Sequence, residues 1–204
     1  PLEKICLLGC GITTGIGAVL NTAKVTPGSV VAVFGLGGVG LSVIQGAVMA
    51  KAGRILAIDV NPEKEQFARQ LGATDFVNPN DHGGSIQDVI IEITGGGADV
   101  VFEHVGAITW PKSIDSLTHG GRLITCGTTT GSETDFDIRL LYRRQLSLMG
   151  SFMGSKGDLL YLLKFVNSGQ LKPVIDSVYP LKDANKAHEL IENRQHFGKV
   201  ILKV

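Results

Sequence analysis

The hexapeptide Gly35-Leu36-Gly37-Gly38-Val39-Gly40 follows directly on a β-branched apolar run, Val30-Val31-Ala32-Val33-Phe34. It leads directly into residues 41–50, which have the composition of a helix. No other stretch restricts the fold as much. A strand that turns within a few residues into a helix commits the chain to a βαβ unit, because parallel strands need a crossover between them. The rest of the sequence repeats the alternation. Arg54-Ile55-Leu56-Ala57-Ile58-Asp59 reads as the second strand, and Pro62 suits the first position of a helix that stops at Gly72. Asp75-Phe76-Val77 is a short third strand closed by Asn78-Pro79. Ile86, Val89, Ile90 and Ile93 fall on one helical face, Asp99-Val100-Val101-Phe102-Glu103 is the fourth strand, and residues 114–117 lie in the next helix. Leu123-Ile124-Thr125-Cys126 and Leu146-Ser147-Leu148-Met149-Gly150 complete the set. Six strands separated by helices predict an α/β fold, a doubly wound parallel sheet in the order 3-2-1-4-5-6. A tail of helix (Leu159, Leu160, Leu163, Val166), strand (174–179), helix (184–191) and strand (200–204) follows.

The glycines of the hexapeptide have separate tasks in a phosphate-binding turn. Gly35 permits the tight turn, Gly37 lets the backbone approach a pyrophosphate, and Gly40 allows helix and strand to pack closely. The N-terminus of the following helix then offers free N–H groups and a positive dipole end to the phosphates. Alone the pattern also fits an ordinary strand–helix turn. Asp59 adds the second half. It closes the second strand, where an acid accepts hydrogen bonds from the adenosine ribose, and no Arg immediately follows it to receive a 2′-phosphate. The expected ligand is a nicotinamide dinucleotide, NAD in preference to NADP. Composition agrees: 27 glycines among 204 residues is roughly twice the usual share, with no collagen period. The 19 Lys and Arg balance 19 Asp and Glu, which argues against nucleic-acid or polybasic membrane partners. The uncharged run between Lys24 and Lys51 is long enough to span a bilayer, but Pro27-Gly28 and five glycines from 35 to 46 split it into strand, turn and helix.

Further motifs carry a resemblance. Gly9-Cys10-Gly11 with Thr14-Gly15, then residues 33–41, Ala57-Ile58-Asp59-Val60-Asn61 and Leu71-Gly72-Ala73-Thr74 resemble the zinc-dependent medium-chain alcohol dehydrogenases. The likeness runs from about Leu2 to Val204. Phe197-Gly198-Lys199-Val200-Ile201-Leu202 and Arg144-Gln145-Leu146-Ser147 are similar to a less studied branch containing zinc-binding dehydrogenases and quinone-reductase-like members. The resemblance implies a Rossmann domain over residues 1–154 with a lead-in helix, and a segment over 155–204 returning to a catalytic domain absent from this sequence. It implies Cys10 as one of three ligands to a catalytic zinc. Thr14 would touch the nicotinamide ring as the catalytic-side contact, and Val39 would pack against that ring. Lys64 would lie near the adenosine ribose and Lys199 near the pyrophosphate, at a position often held by Arg. Dimers in this family join their cofactor sheets at the sixth strand, so a homodimer or homotetramer is expected. Zinc-free NADPH-dependent quinone or enoyl reductases and non-catalytic nucleotide modules are the alternatives.

The remaining candidates are weaker. Cys6, Cys10 and Cys126 are odd in number and without a disulfide spacing, which predicts a reducing, cytoplasmic setting, with Cys6 and Cys126 as buried thiols. His104 follows the fourth strand and reads as a cofactor-pocket wall in preference to a catalytic base, while His82, His119, His188 and His196 read as solvated. The charged run Glu63-Lys64-Glu65 has the look of a solvated helix face. The opening Pro1-Leu2-Glu3-Lys4 has neither an initiator Met nor a signal-peptide pattern, so the sequence is expected to be a piece of a longer protein acting on a small alcohol or carbonyl compound.

Overall fold

A computed structural model describes residues 2–83, 85–193 and 196–204. Its central strand is β1 (Val30–Phe34), flanked by β2 (Arg54–Ile58) on one side and β4 (Ala98–Glu103) on the other. β3 (Asp75–Val77) closes one end, and β5 (Leu117–Thr125) and β6 (Ser147–Gly150) extend the other. The order is β3-β2-β1-β4-β5-β6 with every pairing parallel, as the alternation predicts.

The inner strands β1, β2 and β4 carry continuous apolar runs (residues 30–34, 55–58 and 100–102) because both of their faces are covered. Val31, Val33, Ile55, Ala57, Val100 and Phe102 point into one core layer, against α3 (Gly38–Met49). Their neighbours Ala32, Phe34, Leu56, Ile58 and Val101 enter the other, against α5 (Ile86–Thr94) and α6 (Trp110–Asp115). A third cluster joins Leu8, Ile12 and Ile16 to Leu162 of α8 (Lys156–Asn167) and to Leu171. It docks the N-terminal helical stretch, which runs through α1 (Leu2–Ile5), a π-helical turn at Leu8–Ile12, α2 (Thr13–Gly17) and a second π-helical turn at Ala18–Thr22. That stretch, Leu2–Thr22, is long and apolar enough to cross a membrane, yet 56% of its most apolar 18-residue window is buried in this fold. The uncharged run from Lys24 to Lys51 is not one helix. It holds β1, the glycine turn and α3.

Two expectations are corrected. Leu117 belongs to β5, not to a helix: α6 ends at Asp115, and Leu117 pairs with Ala98 before a register shift after which Arg122 pairs with Val100. Gly120, in the bulge between them, has φ +76°. Cys6 is exposed, not buried: it directly follows α1, none of whose residues is buried. The tail forms β7 (Ile175–Pro180), α9 (Ala184–Glu192) and β8 (Lys199–Lys203), with β7 and β8 making a separate parallel pair.

Candidate cofactor site

The glycine turn lies at the carboxyl end of β1, where the strand order of a doubly wound sheet reverses and a crevice opens. Gly35 has φ +88°, a left-handed conformation that disfavours any side chain. A Cβ on Gly40 would stand 2.0 Å from the Gly35 carbonyl oxygen, so only glycine lets α3 begin this close to the strand. Leu41 is the first residue after the turn whose N–H reaches back, to the Gly37 carbonyl. The amides at Gly38, Val39 and Gly40 precede that bond and carry the positive end of a 12-residue helix with no acid in its first turn.

Asp59 is buried just past β2 and is tied to the turn itself. Its Oδ2 accepts the Leu36 N–H at 2.7 Å and the Lys64 ammonium at 3.0 Å, while Oδ1 accepts the Asn61 N–H at 3.0 Å. The Lys64 side chain is only 14% exposed, so the solvated reading of Glu63-Lys64-Glu65 fails for its middle residue. The cause is local: the Asn61 side chain accepts the Glu63 N–H and starts a 3-10 turn, Pro62–Lys64, that swings Lys64 back over the acid.

His104 leaves β4 beneath the same turn. A Cβ on Gly35 would meet its Nε2 at 3.3 Å and one on Gly40 its Cε1 at 3.2 Å. Both ring nitrogens are buried without a hydrogen-bond partner. Burial pushes the imidazole down to about 4, outweighing the Gly35 carbonyl and the Asp59 charge, which favour the proton. The ring is therefore neutral near pH 7. Sequence reasoning missed what fixes this turn: Glu103, fully buried, accepts the Val105 and Gly106 N–H groups on Oε1 and the Ser113 hydroxyl on Oε2. Half-buried Cys126 is pushed up to about 11, first by burial and then by the Glu103 charge, so it remains a thiol.

The lead-in helices bring the other candidates to the same end. Thr14 is buried on α2 next to Gly15, where a Cβ would meet the Val39 carbonyl oxygen at 2.6 Å. Cys10 is exposed beside Gly11, and Gly11 in turn lies against Gly38 and the Lys199 stem. Gly35, Gly37, Gly38, Val39, Gly40, Asp59, Lys64, His104 and Lys199 thus gather around the opening of α3, with Thr14 and Cys10 adjoining. Cys10 stands without metal-ligand company: among the described residues no three His, Cys, Asp or Glu side chains group to hold an ion. His196 is half-buried, not solvated, and His82, His119 and His188 are exposed.

The family model for zinc-binding dehydrogenases matches residues 38–168. An S-(hydroxymethyl)glutathione dehydrogenase of Synechocystis is 46% identical over 209 residues, covering 99% of this chain and 56% of its own. The enzyme of that name from Haemophilus influenzae is 44% identical, covering 99% and 54%. A crystal structure of an NAD-dependent alcohol dehydrogenase superposes with TM-score 0.92 at 34% identity, covering all of this chain and 59% of the other. The chain spans about half the length of the curated relatives it matches.

Proposed function

The chain belongs to the zinc-binding dehydrogenase family, and from that premise we propose that it is the cofactor-holding part of an NAD-linked alcohol dehydrogenase. The observation that carries this reading is the joining of Asp59 to the glycine turn through the Leu36 N–H, which sets a ribose acceptor and a phosphate cradle in one rigid unit. The residues fit a dinucleotide. The α3 amides and Lys199 would hold the pyrophosphate, and Asp59 with Lys64 would take the adenosine ribose. Val39 and Thr14 would support the nicotinamide ring, and neutral His104 would wall the pocket and offer its unpaired nitrogens. Bound there, the nicotinamide exchanges hydride with an alcohol or carbonyl carbon. The chain's share is to fix the ring's position and exclude water around it.

Zinc does not fit the described residues. Cys10 would be a single ligand where a tetrahedral catalytic site needs three and an open position. Residues 1–154 would form the dinucleotide-binding domain and 155–204 the returning segment. The name of the curated relatives extends the substrate class to S-(hydroxymethyl)glutathione, whose hydroxymethyl carbon is one that can yield hydride. Three free thiols accord with a cytoplasmic setting. The outer edge of β6, where Leu148 is 36% exposed, would join two copies in a homodimer.

Calorimetric titration of the chain with NADH tests the reading. One NADH per chain, without added metal, is expected; no binding at millimolar NADH overturns it.

A further inference from the structure

We infer that the stacked rings of Phe67 and Phe197 are a latch that sets Lys199 across the phosphate turn, so that both phenylalanines are positioning residues for the cofactor's phosphates. The inference rests on the dinucleotide reading above. Three consecutive residues ahead of and into β8 are each anchored to a different part of the molecule. The Phe197 ring stacks on Phe67 of α4 (Glu65–Gln70), with centroids 3.6 Å apart and planes 12° from parallel. Its N–H donates to Asp176 Oδ1 at 3.2 Å. Gly198 forms a parallel bridge with Gly37 inside the glycine turn, at φ +72° and with a Cβ position only 2.6 Å from the Val174 carbonyl oxygen. No other residue follows that path without strain.

Lys199 comes next. Its N–H donates to the Val174 carbonyl at 3.1 Å, and its side chain runs over the first residue of α3. A Cβ on Gly38 would meet Lys199 Cε at 2.6 Å and its Cδ and Cγ at 3.1 Å. Gly38 is bare where the lysine stem crosses it, and the stem also passes Gly11 at 3.3 Å from a Cβ position. Among the described residues no carboxylate lies within ion-pair distance of Lys199. An ammonium on a flexible four-carbon stem serves an anion only if its backbone is held in place, because it lacks the rigid fork of a guanidinium. The stack does that, and it does so through α4, the helix that follows Asp59 and Lys64. The two ends of the crevice are thereby held at a fixed separation.

ADP and adenosine, titrated calorimetrically at one salt concentration, separate the phosphate contact from the rest of the site. Phe197→Leu is expected to weaken ADP about tenfold while adenosine changes by less than about twofold, since one charge-assisted contact is lost. Phe67→Leu should do the same, and Phe197→Tyr, which keeps the stack, should restore the parent's ADP affinity. Lys199→Met should match Phe197→Leu, and the double variant should be no weaker than Lys199→Met alone. An unchanged ADP-to-adenosine ratio in Phe197→Leu, an equal loss of both ligands, or additive losses in the double variant would each overturn the latch while leaving the dinucleotide reading in place. A parent chain that binds no ADP would overturn both.

Discussion

Asp59 offers the sharpest test of the proposed site, because that reading gives its carboxylate a part in the fold and in ligand binding together. Leu36 is fully buried, and its N–H has Asp59 Oδ2 as acceptor at 2.7 Å. Replacing the acid with glycine strips that acceptor and should cost about 1–3 kcal/mol, the range for a buried donor left unpaired. Asp59→Asn keeps one carbonyl oxygen for Leu36 and removes the charge, so it should cost less, about 1 kcal/mol. Cofactor choice separates from stability in this pair. In the proposed site, Asp59 would face a 2′-phosphate with Lys64 only 3.0 Å away, so the repulsion would be that of a partly neutralised acid. The expected preference for NAD(H) over NADP(H) is accordingly about tenfold, or ~1.4 kcal/mol. Asp59→Asn frees the Lys64 ammonium to meet the phosphate and should bring the ratio to unity or below. Lys64→Met leaves the acid unneutralised and should widen it. Urea unfolding measures the first effect, and calorimetry with both cofactors at fixed salt measures the second. Equal affinities in the parent, or a ratio that Asp59→Asn leaves untouched, would refute the assignment of Asp59 as the discriminating group.

Gly40→Ala should abolish cofactor binding and destabilise the chain by more than about 2 kcal/mol, since a Cβ 2.0 Å from the Gly35 carbonyl forces strand and helix apart; parent-like unfolding would contradict this. Because His104 is held down to about 4 from an ordinary 6.5, the unfolded chain takes up its proton first. Stability should be complete above pH 6.5 and fall by about 3 kcal/mol as pH drops towards 4, with the slope removed by His104→Gln, as urea midpoints against pH would record. Leu148→Pro should shift sedimentation from dimer towards monomer with cofactor binding intact. Ser151 donates inward to Thr125, and strand alternation then turns the Leu148 N–H to the open edge of β6, so the β5 ladder survives; an unchanged dimer would count against that edge.

What the sequence reveals here follows from what each residue's neighbours along the chain can determine. The centre of the sheet was legible because both faces of its inner strands are covered, so Val30–Phe34 and residues 100–102 appear as unbroken apolar runs. The glycine turn was legible because steric limits, not distant partners, select its residues. Leu117 was not: it follows a helix of similar character, and only its pairing with Ala98 across the sheet makes it a strand. Lys64 was misread for the same reason, since a charged run looks solvated until a 3-10 turn folds it onto an acid five residues earlier.

Asp59 and Glu103 mark where sequence reading ends. Each is an acid at or just past the end of a buried strand, and each carboxylate has three partners. Asp59 holds two backbone N–H groups and Lys64; Glu103 holds two backbone N–H groups and Ser113. In both cases the acid braces the loops at the carboxyl edge of the sheet, and the count of bonds does not separate a ligand site from a brace. Exposure and charge do. Glu103 is sealed at 0% and satisfied by a neutral hydroxyl, whereas Asp59 keeps 9% of its surface open and has a cation beside it. Of the two, Asp59 alone leaves room for a ribose hydroxyl, which in the proposed site would meet a carboxylate already tied to the turn that would bind the phosphates.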